Sequence, residues 1–517
     1  MPGALSGRPA RALAAALLLA LVMPLLSIPG SPALAQDATG GPEVDTEFFN
    51  PPPCAPAGTN GLVVYQTTGD DGITPERSLV VAGADGRTVR RVDLNGTPIR
   101  LFATPAPNTA VVITENSDHV ANRIEVIDAS RGFRYRLTIP TAHVGGLIFP
   151  SPATVQSQGT RYIVLTNSQQ NVAYLVDLID GVATDLMAIA ERRADRDDLT
   201  LLQAIVSPDD RTVLFQTQDS SLLIPTAQPQ GDRLIASGDA ASGFHYVGDG
   251  ASLLFSRAIT GGDVEVVLLD TEKLTERQLA VGPDLVSASP LPNGTAAILV
   301  STRSLSVIEY EYRAQAPIGD ITGEVSTVLI GPNSGTIAYL VTNGDEQDWY
   351  WANLRSGETR ELPALAGLEP VAAPGFPRWI VFAPQGVISS SGSGGGVFFS
   401  LDLSTGRTNQ LFSTTAGTSY LPPIVSPGAG RFALLPWITG VNQNVVAFDN
   451  RTGVVQPVFD GRAISAVLSP DGCWAAVTRQ IGERVDRKMQ VVLIPLDGRE
   501  AVVKSAAGMN PIWLAGQ

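Results

Sequence analysis

Three histidines are the side chains in this sequence best suited to metal binding or proton transfer. His119, His143 and His245 are separated by 24 and 102 residues, and none has a His or Cys nearby at the spacing of a zinc site. A hydrolase of the Gly-x-Ser-x-Gly type needs that motif at a strand-to-helix turn, and the chain has no such turn. The sequence therefore predicts no catalytic residue, no metal site and no cofactor.

His143, Trp349 and Trp351 are weak candidates for a ligand-binding surface. His143 stands two residues before a Gly-Gly pair, and the alternative is a loop or partly buried histidine. The tryptophans alternate with Tyr350, so one face of that strand could recognise a carbohydrate or a protein, unless it packs between neighbouring sheets. The preceding segment, Asn343–Asp348, lacks the ligand spacing and final Glu of an EF-hand, which favours an acidic hairpin over a calcium loop.

The elements that position these residues follow a recurring sequence pattern: an apolar strand, a turn of Pro, Gly, Asn or Asp, and a second apolar strand. The clearest turns begin at Ser207, Gly331 and Ser469. Aligning them gives units that begin near Leu101, Leu147, Gln203, Phe244, Leu285, Thr327, Ala372, Pro423 and Ile464. Most steps are 41 to 51 residues, the length of a four-stranded β-propeller blade. One longer step contains a charged stretch, residues 183–199, that predicts a short surface helix.

Both ends of the chain contribute to the ring that this repeat predicts. Strands at 61–67, 78–82 and 88–94 lack an innermost strand, whereas Asn510–Leu514 resembles an innermost strand with no unit after it. The C-terminal strand then completes the first blade and removes exposed sheet edges. The sequence predicts an all-β fold, a single propeller of about ten four-stranded antiparallel blades, or roughly eight if some units merge. Two smaller propellers in tandem are the alternative.

Aspartates recur where the third strand of a unit ends. They are Asp128, Asp177, Asp270, Asp402 and Asp449. In most of these units the turn that follows the aspartate contains Gly or Ser, as expected for the hairpin between the third and fourth strands. We interpret these carboxylates as turn caps rather than as an array of metal ligands.

The Ser-Pro-Asp turns at Ser207 and Ser469, with aliphatic residues on either side, resemble those of TolB-like and WD-repeat-like propellers. One unit, with Val126–Asp128 and Leu137–Pro140, is similar instead to the surface-layer propeller repeats of lactonase-like proteins. The resemblance covers residues 61–517 and implies binding or scaffolding more often than catalysis. The Trp-Asp and Gly-His pairs of true WD repeats are absent, so the chemistry of those proteins is not implied.

Cys54 and Cys473 are the two cysteines of the chain. Cys54 precedes the first strand and Cys473 begins a strand in the last full unit, so a closed ring would make them neighbours. An even number of cysteines in an oxidising compartment favours pairing, and this bridge would close a loop of 473 minus 54, or 419, residues. The alternative is two reduced, buried thiols.

The first residues predict an export signal. Arg8 and Arg11 precede an apolar run, Ala12–Leu26, and Ala33–Ala35 forms a small-residue cleavage site. The run is shorter than the roughly 20 residues that cross a bilayer, and an uncleaved anchor is the alternative. We divide the chain into a signal peptide (1–35), an N-terminal extended segment (36–60) and the propeller (61–517), with no transmembrane segment in the mature chain.

The formal net charge is -15, or -17 without Arg8 and Arg11, and no basic stripe is visible. This charge argues against a nucleic-acid partner, which needs such a stripe. The sequence predicts a non-catalytic propeller, secreted, periplasmic or at the cell surface, that binds a protein or cell-envelope partner. An enzyme of lactonase or lyase type acting in the channel and a structural protein of the cell surface are the alternatives.

Overall fold

The computed structural model describes part of the chain. The described residues are 54, 61–148, 159–237, 241–319, 321–331, 335–371, 378–385, 396–414, 418–421, 423–424, 431–439, 442–459, 463–482, 487–498, 502–505 and 507–514. The predicted signal peptide (1–35) lies outside these residues, and so does the predicted extended segment (36–60) except for Cys54.

Within the described residues the chain forms ten antiparallel sheets, which we number as blades 1 to 10 in chain order. Blade 1 opens with β1 (Leu62–Thr68), β2 (Pro75–Gly83) and β3 (Thr88–Asp93). Blade 2 contains β4 (Thr97–Ala103), β5 (Thr109–Glu115), β6 (Ala121–Asp128) and β7 (Phe133–Arg136). Blade 3 contains β8 (Tyr162–Asn167), β9 (Val172–Asp177) and β10 (Ala183–Asp185), and a single bridge from Ile148 to Thr166 takes the place of its innermost strand.

Blades 4 to 10 each have four strands. Blades 4 and 5 contain β11 (Leu201–Val206), β12 (Thr212–Thr217), β13 (Ser220–Pro225), β14 (Arg233–Ser237), β15 (Ala241–Val247), β16 (Ser252–Ala258), β17 (Val264–Asp270) and β18 (Glu276–Gly282). Blades 6 and 7 contain β19 (Leu285–Pro290), β20 (Ala296–Ser301), β21 (Ser304–Glu309), β22 (Gln315–Pro317), β23 (Glu324–Ile330), β24 (Thr336–Asn343), β25 (Glu346–Asn353) and β26 (Thr359–Glu361).

The remaining strands complete the ring. Blades 8 and 9 contain β27 (Leu368–Pro370), β28 (Trp379–Pro384), β29 (Val397–Asp402), β30 (Arg407–Ser413), β31 (Thr418–Tyr420), β32 (Phe432–Thr439), β33 (Asn442–Asp449) and β34 (Val454–Phe459). Blade 10 contains β35 (Ala463–Leu468), β36 (Trp474–Ile481), β37 (Lys488–Pro495) and β38 (Val502–Ser505), and the chain ends with β39 (Gly508–Leu514).

Helical segments are few and short among the described residues. They are α1 (Thr141–Val144), α2 (Leu186–Ala194) and 3-10 turns at Ser168–Gln170, Pro229–Gly231 and Pro363–Leu365. Helix α2 lies within the charged stretch 183–199, as predicted, and buries Leu186 and Ile189 between blades 3 and 4. None of the helices in the described part of the chain has the length and apolar character needed to cross a membrane.

The recurring turn has a common hydrogen-bond pattern. Its first residue donates its N–H to the carbonyl oxygen five positions later, as Ser207 does to Thr212 at 2.8 Å. The fourth residue, Asp210 in blade 4 and Gly472 in blade 10, has a positive φ of 61° and 67° respectively. This left-handed conformation explains why Gly, Asn or Asp occupies the position.

Ten buried apolar clusters join the blades, and each combines residues of two consecutive blades. The cluster between blades 10 and 1 packs Trp474 and Val491 against Val63 and Trp513. Because the last blade contacts the first in the same way as all other neighbours, the blades form one closed ring. The predicted single propeller of ten units is confirmed, and the tandem arrangement is excluded.

The C-terminal strand closes the ring. Strand β39 pairs antiparallel with β1, with Leu514 opposite Leu62 and Trp513 opposite Val63, and becomes the innermost strand of blade 1. The prediction that the end of the chain completes the first blade is therefore confirmed. With β39 in place, β1 is paired along both of its edges.

The antiparallel order of strands gives the ring two different faces. Each innermost strand begins on the face that also carries the turns between second and third strands, and we call this the mouth face. The recurring turns and the hairpins between third and fourth strands lie on the opposite face, which we call the turn face. The innermost strands surround the central channel.

Candidate functional site at the channel mouth

The innermost strands share a β-bulge close to the mouth face. In five blades the register with the second strand shifts around one residue near the start of the strand. The bulged residues are Ile99, Leu202, Val286, Ser326 and Ile464. Each stands five positions before the first residue of the recurring turn. A bulge leaves its extra residue unpaired and turns the strand locally, so the same position is presented in each of these blades.

Four of these bulged residues are exposed aliphatic side chains. Their exposed fractions are 40% for Ile99, 44% for Leu202, 55% for Val286 and 48% for Ile464. Ile148, which replaces the innermost strand of blade 3, is 50% exposed. We call these five residues the aliphatic collar. A single exposed aliphatic residue is ordinary, whereas an aliphatic residue exposed at the same bulge in four blades is a repeated feature that suits binding.

Carboxylates surround the collar on the mouth face. Asp284 directly precedes β19, and Glu324 is the first residue of β23, so both lie beside the channel mouth. Other exposed carboxylates stand in turns between second and third strands of their blades: Asp70, Asp118, Asp345 and Glu346. We call these six residues the rim carboxylates. None of the six forms a salt bridge within the described part of the chain.

His245 lies on β15, the innermost strand of blade 5. Its Nε2 atom is enclosed and has no hydrogen-bond partner among the described residues. Desolvation by burial lowers the pKa of His245 from 6.5 to about 4, because the cationic ring loses its hydration. The imidazole is therefore neutral at physiological pH, and it offers no charge to a ligand in the channel.

Acidification should destabilise the fold through this histidine. Since the folded pKa is depressed, the unfolded state takes up a proton that the folded state does not as pH falls below 6.5. The loss should reach about 3 kcal/mol near pH 4. Urea unfolding of wild type and His245→Gln between pH 7 and pH 4 measures it. The difference in unfolding free energy between the two proteins should change by this amount, and a constant difference would contradict the assignment.

The acidic segment Asn343–Asp348 forms a hairpin, as predicted. Strands β24 and β25 meet with Asn343 opposite Glu346, and Gly344 has a φ of 65° in the two-residue turn. The described residues contain no group of three or more His, Cys, Asp or Glu side chains arranged to bind a metal ion. The carboxylates of this hairpin are instead part of the mouth-face charge.

Trp349 and Trp351 lie in the cluster between blades 7 and 8. Both side chains are buried. Trp349 donates its Nε1–H to the carbonyl oxygen of Leu368 at 3.0 Å, and Trp351 donates to that of Leu403 at 2.7 Å. Phe382 packs edge-on against Trp349 at 5.0 Å between ring centroids. The two indoles therefore join neighbouring blades, which is the packing alternative, and they present no open ring face to a ligand.

His143 lies in α1, between blades 2 and 3. Its Nδ1 is 2.6 Å from the hydroxyl of Tyr174, on the third strand of blade 3. Burial and the nearby charge of Asp185 raise the pKa of Tyr174 to about 12, so this hydroxyl keeps its proton. His143 is half-buried, and its described contact is with the third strand of blade 3 rather than with an innermost strand.

The recurring aspartates cap turns. The Asp128 carboxylate accepts hydrogen bonds from the N–H groups of Ser130 and Arg131, at 2.9 and 3.0 Å, and the other four accept equivalent backbone bonds. Asp177 also accepts from the Arg161 guanidinium at 2.6 Å. Burial alone would raise the pKa of Asp177, but Arg161 and two backbone N–H groups lower it overall. These carboxylates are used within the turn face and do not face the channel mouth.

Cys54 and Cys473 form a disulfide, as predicted, with their Cα atoms 5.5 Å apart. Cys473 directly precedes the second strand of blade 10, the position that Arg378 and Arg431 occupy in blades 8 and 9. Those arginines bind the aspartate that ends the third strand, at 2.9 and 3.0 Å. In blade 10 the third strand ends at Pro495, which cannot form this ion pair. At the same position on the turn face, blade 10 instead has the disulfide.

Comparison with known proteins finds similarity among solved structures, at low sequence identity. No family model matches the sequence, and no curated protein matches it. Similar solved structures include one described as the eukaryotic initiation factor, with TM-score 0.48, 11% identity and coverage of 79% of this chain and 97% of that chain. At so low a score, the similarity supports no argument about function.

Two further similar structures are propellers of other proteins. TolB from Acinetobacter baumannii has TM-score 0.27 and 15% identity, covering 64% of this chain and 86% of that chain. The β-propeller domain of the Trilobed protease from Pyrococcus furiosus has TM-score 0.34 and 10% identity, covering 59% and 95%. At these scores neither similarity carries an argument, and the ten-bladed ring rests on the strand pairing itself.

Proposed function

We propose that this protein is an exported, non-catalytic propeller scaffold that binds a protein or cell-envelope partner at its channel mouth. The aliphatic collar carries the proposal, because four exposed aliphatic side chains lie at the bulge of an innermost strand and a fifth, Ile148, takes the innermost position of blade 3. Covering them would remove apolar surface from water at about 25 cal/mol per Å². The disulfide supports export, since such bonds persist in oxidising compartments.

No specific observation favours the alternative of a channel enzyme. Such a site needs several carboxylate, His or Asn side chains that converge on a substrate. His245, on the innermost strand of blade 5, is neutral and its Nε2 atom is enclosed, and the aspartates that recur along the chain cap turns on the turn face. The exposed side chains that repeat at the mouth are aliphatic, which suits recognition rather than proton transfer.

Matched surface variants test this function. Leu202→Ser, Val286→Ser and Ile464→Ser together remove most of the collar. Three valines on outermost strands, Val89, Val281 and Val454, are similarly exposed at 55%, 51% and 56%, and their replacement by Ser is the control. We expect wild type and control to capture the same exported proteins saturably from envelope and secreted fractions.

The collar variant should lose that capture by about tenfold or more, because buried apolar anchors dominate most interfaces. Circular dichroism should show that all three proteins fold alike, since exposed substitutions change stability little. If the collar variant captured the same partners as strongly as wild type, the channel mouth would not be the binding surface and the proposal would be wrong.

A further inference from the structure

The chemistry of the channel mouth restricts the occupant further, and this inference rests on the proposed function. The collar consists of Ile, Leu and Val side chains and contains no aromatic ring. Sugar recognition usually relies on aromatic faces, whereas aliphatic surfaces pack well against aliphatic side chains. The apolar part of the occupant is therefore best matched by Leu, Ile, Val or Met side chains of a polypeptide.

The rim carboxylates indicate which charge a bound polypeptide should carry. Asp284 and Glu324 lie beside the collar on neighbouring blades, are exposed, and form no salt bridge within the described residues. Four more such carboxylates stand farther out on the mouth face. Exposed cations without a salt bridge are fewer on this face in the described residues: Arg100, which follows Ile99 on β4, and Arg303, Arg487 and Lys488, which stand at turns between second and third strands. A basic segment would gain from this field, and an anionic lipid surface or nucleic acid would be repelled.

The N-terminal segment of the chain itself fits this charge poorly. Residues 36–53 contain Asp37, Glu43, Asp45 and Glu47 and no Lys or Arg. The same segment leads into Cys54, which is bonded to Cys473 on the turn face, opposite the mouth. Both its charge and its attachment point argue that the occupant comes from another molecule.

The bulges also restrict how the occupant is held. A bulge interrupts the regular row of hydrogen-bonding groups along a strand, and five innermost strands carry one near the mouth. Addition of a further strand to these edges is therefore disfavoured at this level. Recognition must depend on side chains, with aliphatic residues against the collar and cations against the rim.

We infer that the channel mouth binds a basic polypeptide segment of another protein, whose aliphatic side chains contact the collar and whose Lys or Arg side chains contact Asp284 and Glu324. Specificity then comes from two separable contributions. The apolar contribution depends on the collar and is insensitive to salt, whereas the charged contribution depends on the rim and is screened by salt.

Three labelled peptides separate these contributions. The first alternates Arg and Leu, the second has Glu in place of Arg, and the third has Ser in place of Leu. Fluorescence anisotropy with the full protein should show saturable binding of the Arg-Leu peptide, and affinities at least about tenfold weaker for the other two. Raising NaCl from about 0.05 M to about 0.5 M should weaken binding of the Arg-Leu peptide several-fold.

Protein variants locate the binding. The collar variant L202S/V286S/I464S should lose binding by about tenfold or more, whereas the outer-strand variant V89S/V281S/V454S should bind as wild type does. Asp284→Asn with Glu324→Gln should weaken binding several-fold and reduce its salt dependence. The matched pair Glu272→Gln with Glu311→Gln, two exposed carboxylates on the turn face, should change neither.

The possible failures are distinguishable. Equal or tighter binding of the Glu-Leu peptide, or equal losses in the rim and turn-face variants, would overturn the inference of a basic segment and leave the proposed function standing. Absence of peptide binding with collar-dependent capture of a partner would do the same. Absence of peptide binding together with capture that does not depend on the collar would overturn both.

Discussion

Deleting the last strand, residues 508–517, is expected to prevent the propeller from folding. Strand β39 is the innermost strand of blade 1, and its Ile512, Trp513 and Leu514 are buried in the clusters that join blade 1 to blades 2 and 10. Each such side chain typically contributes about 2 to 5 kcal/mol, so their joint loss approaches the whole stability of an ordinary domain. The deletion also leaves the inner edge of β1 unpaired.

Circular dichroism and limited proteolysis measure this effect. The truncated chain should lack a cooperative thermal transition and should be cleaved throughout the ring. A synthetic peptide of residues 507–517 added in excess should restore the transition, whereas a scrambled peptide of the same composition should not. A truncated protein that melts cooperatively at the wild-type temperature would show that β39 does not close the ring.

Replacing either cysteine of the disulfide by serine should have the second largest effect. The bridge joins residues separated by 419 positions, and the chain-entropy model gives a stabilisation on the order of 5 kcal/mol for so long a loop. It fastens the start of the chain to blade 10, next to the interface that β39 closes. Cys54→Ser and Cys473→Ser should lower the unfolding free energy by similar amounts.

The double variant distinguishes loss of the bridge from loss of side-chain packing. If the bridge causes the effect, the double variant should be no less stable than either single variant, because both remove the same bond. Chemical reduction should bring the wild type to the same stability. Additive losses in the double variant, or equal unfolding free energies of oxidised and reduced wild type, would contradict a stabilising bridge.

Most of the architecture could be predicted because the residues of the recurring turn are determined by its local backbone conformation. Positive φ at its fourth position selects Gly, Asn or Asp, and the apolar strands on either side repeat with it. The starts of some blades were placed less accurately. The innermost strands of blades 2, 8 and 9 begin at Thr97, Leu368 and Thr418, ahead of the predicted Leu101, Ala372 and Pro423. Ala372 lies outside the described residues. The innermost strands of blades 8 and 9, β27 and β31, are short, so the recurring turn was a poor guide to where they begin.

The candidate site was not predictable in the same way. Strand alternation cannot tell which face of an innermost strand is open, because blades pack on both faces and a bulge shifts the alternation by one residue. Packing on both faces of a blade also explains why Trp349 and Trp351, on the third strand of blade 7, could be read as surface residues although they are buried. A usable signal did exist, since Ile99, Leu202 and Ile464 each stand five positions before a recurring turn.

Site-specific photocrosslinking in the source cells tests the binding role of the channel mouth most directly. Val286 on the innermost strand of blade 6 and Val281 on the outermost strand of blade 5 are five positions apart and similarly exposed, at 55% and 51%. A photoreactive residue at 286 should give one or two discrete crosslinked partners, and one at 281 should give none of them. Identical partners at both positions, or partners at 281 alone, would contradict binding at the channel mouth.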